Sequence, residues 1–287
     1  MANLTRRAIL QSSVISLAAS RIPLEAGVAS DIARKGRIRQ SVCQWCYRQM
    51  SIDQLAQSAA SIGLRGVDLL QPDDYEIPRR CGLVCTMGYA GGGEINKALN
   101  RTENHAAIEQ AFRANIPRAA KAGVPNVITF SGNRAGLSDD EGARNTVAGL
   151  NRLKKIAEDH GVTICLELLN SKRDHHDYMC DHTAWGVRVA QEVNSPNVKL
   201  LYDIYHMQIM EGDLATSIQR HLQAIAHVQI ADPPARHEPG TGEINFAYLF
   251  GVLDGLKYPG WIGCEYKPAG RTEDGLGWMR SLVDSRY

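Results

Sequence analysis

The sequence predicts an α/β fold in which eight parallel strands close into a (β/α)8 TIM barrel. Eight short apolar segments follow residue 38, and helix-like segments separate most of them. Strands that alternate with helices form parallel sheets, and eight such units in about 250 residues is the size of a closed barrel. The repetition and the length therefore predict the same architecture.

The strand candidates are rich in Val, Ile, Leu and Cys, and several are almost continuously apolar. Such runs are expected for strands that are buried on both faces. They are residues 41–45, 66–70, 83–87, 126–130, 162–168, 198–204, 226–231 and 261–266.

Start and stop signals mark the helices between them. Ser51 and Gln54 form a capping box that opens the first helix, and Gly63 closes it. Residues 102–122 and 138–160 each end at a glycine. Of the remaining helices, one is expected to be capped by Asp181 or Thr183 and the next by Asp213. The last two are expected to begin at Asn245 and at Thr272 or Glu273.

A doubly wound open sheet is the alternative architecture. It usually carries a glycine-rich phosphate turn after its first strand, whereas residues 41–45 run into Cys46, Tyr47 and Arg48. The Gly91-Gly92-Gly93 cluster lacks the lysine of a phosphate-binding loop. Both observations favour the barrel.

The N-terminal segment differs from the rest of the chain. Residues 1–30 contain Arg6-Arg7, an apolar run over 8–19, no acid before Glu25, and small residues at Gly27 and Ala29. This order is typical of a twin-arginine export signal, which predicts a periplasmic protein. A basic extension on a cytoplasmic protein is the alternative. In either case we expect one TIM-barrel domain over residues 38–287.

Composition narrows the classes of partner. Of the 287 residues, 44% are hydrophobic and 22% charged, as in ordinary globular proteins, and the net charge is +1. A near-neutral chain without a basic run predicts no nucleic-acid partner. No apolar stretch of 18 residues follows the N-terminal segment, so we expect no membrane span. The oligomeric state stays open, and a homo-oligomer is one alternative.

Polar side chains occur late in four of the apolar strands. They are Glu167, Asp203, Gln229 and Glu265. Because functional groups of barrels collect at the carboxyl ends of strands, these four are expected to meet at one mouth. Three buried acids would repel one another without a cation, and an oxygen-only ligand set suits Mg²⁺ or Mn²⁺. The alternative is that each acid caps a helix or pairs with a base.

Two further residues lie close to these strand ends in the sequence. His206 follows Asp203 by three residues, in what we expect to be a loop at the same mouth. Arg236 belongs to a segment shaped by one proline and two glycines, and its guanidinium is suited to binding a carboxylate. A structural histidine and a surface charge are the respective alternatives.

Long runs of the sequence resemble bacterial hydroxypyruvate isomerase, a member of the xylose-isomerase-like barrels. The resemblance covers roughly residues 39–287 and is densest in 201–213, 236–245 and 263–270, with further similarity in 166–172 and 181–186. It implies an isomerase that converts hydroxypyruvate to tartronate semialdehyde through an enediolate stabilised by a divalent metal. An isomerase or epimerase of another small sugar or a 2-oxo-tetronate is the alternative, as is a non-catalytic exported relative.

The resemblance also implies roles for individual residues. Glu167 and Glu265 would be the acid/base pair, and both would join Asp203 and Gln229 in holding the metal. His206 and Arg236 would contact oxygens of a small-molecule hydroxy-keto acid or sugar. Ketose epimerases with this barrel usually have histidine where this chain has Gln229, which argues against an epimerase. A related endonuclease would need a histidine-rich zinc cluster and a basic face.

Overall fold

A computed structural model describes residues 38–277, so the export-like segment lies outside the described part of the chain. Eight parallel strands follow one another around a closed barrel, and β1 pairs with β8 to complete it. This closure confirms the TIM barrel and excludes the open sheet. The strands are β1 (Arg39–Cys43), β2 (Gly66–Leu70), β3 (Val84–Tyr89), β4 (Asn126–Thr129), β5 (Thr163–Glu167), β6 (Val198–Asp203), β7 (Ile225–Ile230) and β8 (Trp261–Cys264).

Eight α-helices of the described chain accompany the strands. They are α1 (Ile52–Ser61), α2 (His105–Ala122), α3 (Asp139–His160), α4 (Thr183–Val193), α5 (Ile204–Met210), α6 (Leu214–His221), α7 (Phe246–Gly255) and α8 (Thr272–Gly277). The connection between β2 and β3 contains only a short 3-10 helix, Ile77–Cys81. No described helix is both long and apolar enough to cross a membrane.

Local signals explain most of the helix ends. The side chains of Ser51, Ser138 and Asn245 accept hydrogen bonds from the first turns of α1, α3 and α7. Gly123 and Gly161 adopt left-handed conformations after α2 and α3, which a residue without Cβ adopts at no steric cost.

The predicted cap of α4 was wrong. His182 occupies the cap position and makes no side-chain cap bond, and Thr183 is the first helical residue. Asp181 instead accepts a hydrogen bond from Arg134, with 3.0 Å between Nη2 and Oδ1. A charge-assisted bond to a guanidinium is stronger than a bond to one amide, which explains this choice.

Six of the eight strands end one or two residues earlier than the sequence predicted, and two of these ends affect the site. β1 ends at Cys43, because Gln44–Tyr47 forms a 3-10 helix that turns the chain across the mouth. β6 ends at Asp203, whose Oδ1 accepts a hydrogen bond from the His206 amide at 3.1 Å and so starts α5. His206 therefore lies in a helix rather than in the predicted loop.

A polar cluster fills the lumen below the mouth. Asp68 Oδ2 accepts a hydrogen bond from Ser41 Oγ at 2.8 Å and lies 3.0 Å from His227 Nε2, and Thr86 Oγ1 donates to Asp68 Oδ1. All four side chains are completely buried. Gly263 leaves the room they need, since a Cβ at that position would lie 2.2 Å from Asp68 Oδ2.

Strand β2 contains an irregularity near the mouth. Its register with β3 shifts on both sides of Asp68, and Leu69 has a φ of 61°. A positive φ is costly for a leucine and persists only where the surroundings enforce it. The bulge bends the end of β2, where the chain passes into Gln71.

Candidate metal centre and active site

Three carboxylates meet at the mouth of the barrel. One oxygen from each of Glu167, Asp203 and Glu265 lies within 4.8 Å of the other two. Glu167 ends β5, Asp203 ends β6, and Glu265 directly follows β8. Each residue is at most 5% exposed, so water does little to screen their mutual repulsion.

Gln229 is the fourth oxygen-bearing group, and it lies opposite Asp203 in the pairing of β6 with β7. Its amide has two orientations. With the nitrogen directed at Cys43 Sγ, 3.3 Å away, the amide oxygen faces the acids. With the nitrogen directed at the acids, it donates to Glu167 Oε1 at 3.2 Å and to Glu265 Oε2 at 3.3 Å.

The two orientations suit two states of the site. An amide nitrogen among the acids stabilises them when no cation is present, because it offers them N–H donors. An amide oxygen in the same place completes a set of four oxygens, which suits a hard divalent cation such as Mg²⁺ or Mn²⁺. The three acids and the Gln229 oxygen are therefore a suitable ligand set for Mg²⁺ or Mn²⁺.

Glu167 and Asp203 hold a proton more tightly than ordinary carboxyl groups when no cation is bound. Burial raises the pKa of Glu167 well above its ordinary value, and the charges of Glu265 and Asp203 raise it further. Burial, followed by Glu265, raises the pKa of Asp203 in the same way. A divalent cation would have to displace these protons, so its binding and proton release are linked.

Glu265 is held in one orientation by two donors. The indole nitrogen of Trp45 donates to its Oε1 at 2.7 Å, and Arg236 Nη2 donates to its Oε2 at 2.9 Å. No such donor to Glu167 is present in the described part of the chain apart from the reoriented Gln229 amide. The two glutamates therefore differ in how firmly they are fixed.

Arg236 lies between two aromatic rings, with 13% of its side chain exposed. Its guanidinium carbon lies 5.3 Å from the centroid of Trp45 and 4.9 Å from that of Tyr205. Burial alone would lower the pKa of Arg236, but Glu265 and Asp203 raise it overall, so the residue stays charged. Its buried Nε has no hydrogen-bond partner among the described residues, which leaves one N–H for a ligand.

His206 is completely buried, and hydrogen bonds from Asn170 fix the tautomer of its neutral ring. The amide orientation of Asn170 is determined, because its Oδ1 accepts hydrogen bonds from the backbone amides of residues 173 and 174. Its backbone and side-chain nitrogens then face His206 Nδ1 at 3.1 and 2.6 Å. Nδ1 must accept, so the single proton of a neutral ring lies on Nε2.

The proton on Nε2 points toward the acids. This nitrogen has no hydrogen-bond partner within 38–277 and lies 3.6 Å from Asp203 Oδ2. Burial, with further contributions from Arg236 and His175, lowers the pKa of His206 well below its ordinary value. The mouth thus presents a neutral, directed N–H donor.

The structure brings all six side chains singled out in the sequence to one mouth. Glu167, Asp203, Gln229 and Glu265 surround the centre, and His206 and Arg236 contact its edge. Sequence reasoning missed Trp45 and Asn170. An indole or an amide that supports a site has no characteristic spacing from the catalytic residues in the sequence. The resemblance offered a signal for Asn170 alone, which lies in one of its runs.

Comparisons with known proteins identify the family of the chain. Residues 56–282 match the family described as xylose isomerase-like TIM barrel. A 2-oxo-tetronate isomerase of Cupriavidus necator is 37% identical over 248 residues, covering 81% of this chain and 93% of the relative. The hydroxypyruvate isomerase of Escherichia coli is 33% identical over 237 residues, covering 78% and 90%.

Among solved structures, a protein from Brucella melitensis described as an AP endonuclease of family 2 is similar in fold. It superposes with a TM-score of 0.75 at 30% sequence identity, covering 85% of this chain and 99% of that protein. The family match and the extended similarity to both relatives lead to one conclusion. The chain belongs to the xylose isomerase-like TIM-barrel family and, within it, to the isomerases that include these two relatives.

Proposed function

We propose that this isomerase interconverts hydroxypyruvate and tartronate semialdehyde, or the corresponding pair of a close 2-oxo acid such as a 2-oxo-tetronate. The observation that carries the proposal is the meeting of Glu167, Asp203 and Glu265 within 4.8 Å at the barrel mouth. The names of the relatives from Cupriavidus necator and Escherichia coli supply the two substrate classes.

The proposed cofactor is Mg²⁺ or Mn²⁺, held by Glu167, Asp203, Gln229 and Glu265. When bound, the ion would polarise the substrate carbonyl and stabilise the negative charge of an enediolate. It also explains why three buried acids occupy one small space, which would otherwise be unfavourable.

The two glutamates are proposed to move the carbon-bound proton. One removes a proton from C3 of hydroxypyruvate and leaves an enediolate, and a proton is then returned to C2. The C3 hydroxyl proton is lost and the C2 oxygen gains one, so the net change is a shift of two hydrogens. Glu265 is oriented by Trp45 and Arg236, whereas Glu167 is freer to approach the substrate carbon.

His206 and Arg236 are proposed to hold substrate oxygens. The Nε2 proton of His206 is suited to an oxygen that gains negative charge, because a neutral donor does not have to be deprotonated there. Arg236 offers its unused buried N–H to a carboxylate or hydroxyl oxygen.

Two wider expectations belong to the same proposal. We expect no action on nucleic acid: the candidate ligand cluster in the described chain consists of three acids, whereas zinc centres favour histidine and cysteine. We also propose export through the segment that contains Arg6 and Arg7, with a homo-oligomer as one alternative for assembly.

An NMR experiment in deuterated water tests the function. Hydroxypyruvate, 2-oxo-tetronates and free ketoses would be incubated with the protein in Mg²⁺, in Mn²⁺ and in a chelator. We expect isomerisation with deuterium incorporation for the acids, and its loss in chelator. Absence of turnover for every acid with either metal would contradict the proposal.

A further inference from the structure

A second cavity opens beside the candidate active site, on the other half of the barrel mouth. Its volume is about 340 Å³. The three acids lie at the ends of β5, β6 and β8, whereas this cavity is lined by the ends of β2 and β3 and by the segments that follow β1 and β2. A substrate bound at the acids and extending across the mouth would reach it.

Trp45 and Tyr89 connect the cavity to the acids. Both line the cavity, and the indole nitrogen of Trp45 also donates to Glu265 Oε1 at 2.7 Å. Burial, followed by Glu265 and Glu167, raises the pKa of the Tyr89 hydroxyl, while Arg48 acts in the opposite direction. Tyr89 and Arg48 therefore line the same cavity, and the charges of the acids also act on the Tyr89 hydroxyl.

Four polar side chains that line the cavity have no side-chain partner in the described part of the chain. Within residues 38–277, no side-chain hydrogen bond or ion pair engages the amides of Gln44 and Gln71 or the guanidinium of Arg48. The carboxylate of Asp74 is likewise unengaged within that part of the chain. Elsewhere in the described chain, many charged side chains are paired, as Arg80 is with Asp53 at 3.1 Å. Arg48 and Gln71 are exposed to solvent and Gln44 and Asp74 are half-buried, so all four side chains are free to contact a polar ligand in the cavity.

The lining also indicates which end of a substrate it binds. Asp74 would repel a second carboxylate, whereas amides, an acid and a guanidinium together are suited to hydroxyl groups, which both donate and accept. The indole of Trp45 supplies an apolar wall for carbon. The carboxylate of the substrate has another partner, the buried Nε of Arg236, which is not among the residues that line the cavity.

We propose that this cavity binds the hydroxyl-bearing carbon beyond the reacting pair of a hydroxy-keto acid of four or more carbons. The inference rests on the proposed function and specifies its substrate class. Hydroxypyruvate has no such carbon and leaves the cavity to water. A four-carbon 2-oxo acid fills it and gains contacts with Arg48 and Gln71, so it is the better substrate.

The test compares acids of three and four carbons in the same protein variants. Arg48→Met and Gln71→Leu remove the polar groups with little change in volume, and Arg220→Met is a matched control on the last turn of α6. With Mg²⁺, we expect kcat/KM for a 2-oxo-tetronate to fall at least tenfold in Arg48→Met and Gln71→Leu. The value for hydroxypyruvate should stay within twofold, and Arg220→Met should match the wild type.

Two other outcomes overturn the inference. Equal losses for both acids would place Arg48 at the shared carboxylate, and unchanged values would show that the cavity is not used. Binding of unreactive acids separates this question from catalysis. By calorimetry, L-threonate should bind more tightly than D-glycerate to the wild type and lose this advantage in Arg48→Met. That result can be obtained even if the wild type isomerises neither acid, which would contradict only the proposed function.

Discussion

Replacing Asp203 by Asn tests whether the mouth is built around a cation. The substitution removes one of the three clustered charges but keeps the shape of the side chain. It also keeps the helix cap, because an Asn oxygen can accept the bond that His206 donates to Asp203 Oδ1 at 3.1 Å. The change in charge is therefore separated from the change in structure.

The magnitude follows from the geometry of the acids. Two unit charges 4.8 Å apart, the upper limit in this cluster, repel by about 3.5 kcal/mol at an effective dielectric of about 20. Proton uptake by the acids and the charge of Arg236 offset much of this repulsion. Without metal, we expect Asp203→Asn to be more stable than the wild type by about 1 kcal/mol, a rise of about 2–4 °C in unfolding midpoint.

The assay is thermal unfolding followed by circular dichroism, with chelator and with Mg²⁺. Metal at 100 times its Kd should stabilise the wild type by about 2.7 kcal/mol, whereas the variant should barely respond and should be inactive. Asp232→Asn is the matched control. Asp232 is equally buried but accepts hydrogen bonds from the amides of Gly240, Gly242 and Ile244, so its replacement should destabilise the protein.

Two results would refute this reasoning. One is an Asp203→Asn variant that is less stable than the wild type in chelator, because the acids would then not repel one another. The other is a variant that gains as much stability from Mg²⁺ as the wild type, because Asp203 would then not be a ligand.

Three further predictions concern the same mouth. Glu265→Gln should lower turnover by about two or more orders of magnitude while the fold is kept, and full turnover in this variant would reject its acid/base role. In chelator, the free energy of unfolding should fall as pH rises above about 4.5. The reason is that the raised pKa values of Glu167 and Asp203 let the folded state hold protons that the unfolded chain has released. Mg²⁺ should flatten this dependence, and a denaturation midpoint that stays constant in chelator between pH 5 and 8 would contradict it. Asn170→Ala should lower kcat about tenfold by loosening His206, while nitrogen NMR should still show the proton on Nε2, since the backbone donor remains.

The barrel could be predicted from sequence because its strands carry a strong signal. Buried parallel strands are apolar on both faces, so eight such runs indicated the architecture without any long-range information. Their ends were less certain. Residues 44 and 45 continue the apolar-polar pattern of β1, and only the tertiary bond from Trp45 to Glu265 reveals why the chain turns there.

The acids could be predicted because a charge late in an apolar strand is unusual, and barrels collect such residues at one end. The supporting groups could not. Asn170 acts through a hydrogen bond to a ring 36 residues later in the chain, and nothing in its local sequence indicates that partner. The helical position of His206 was missed because the same carboxylate both ends β6 and starts α5.

The sealed cluster of Ser41, Asp68, Thr86 and His227 has a consequence for turnover. It blocks the barrel axis below the acids, so ligands cannot pass through the protein from one end to the other. Substrate and product must enter and leave through the same opening, and each excludes the other while it is bound. Product should therefore inhibit competitively, and its release has to precede every new cycle.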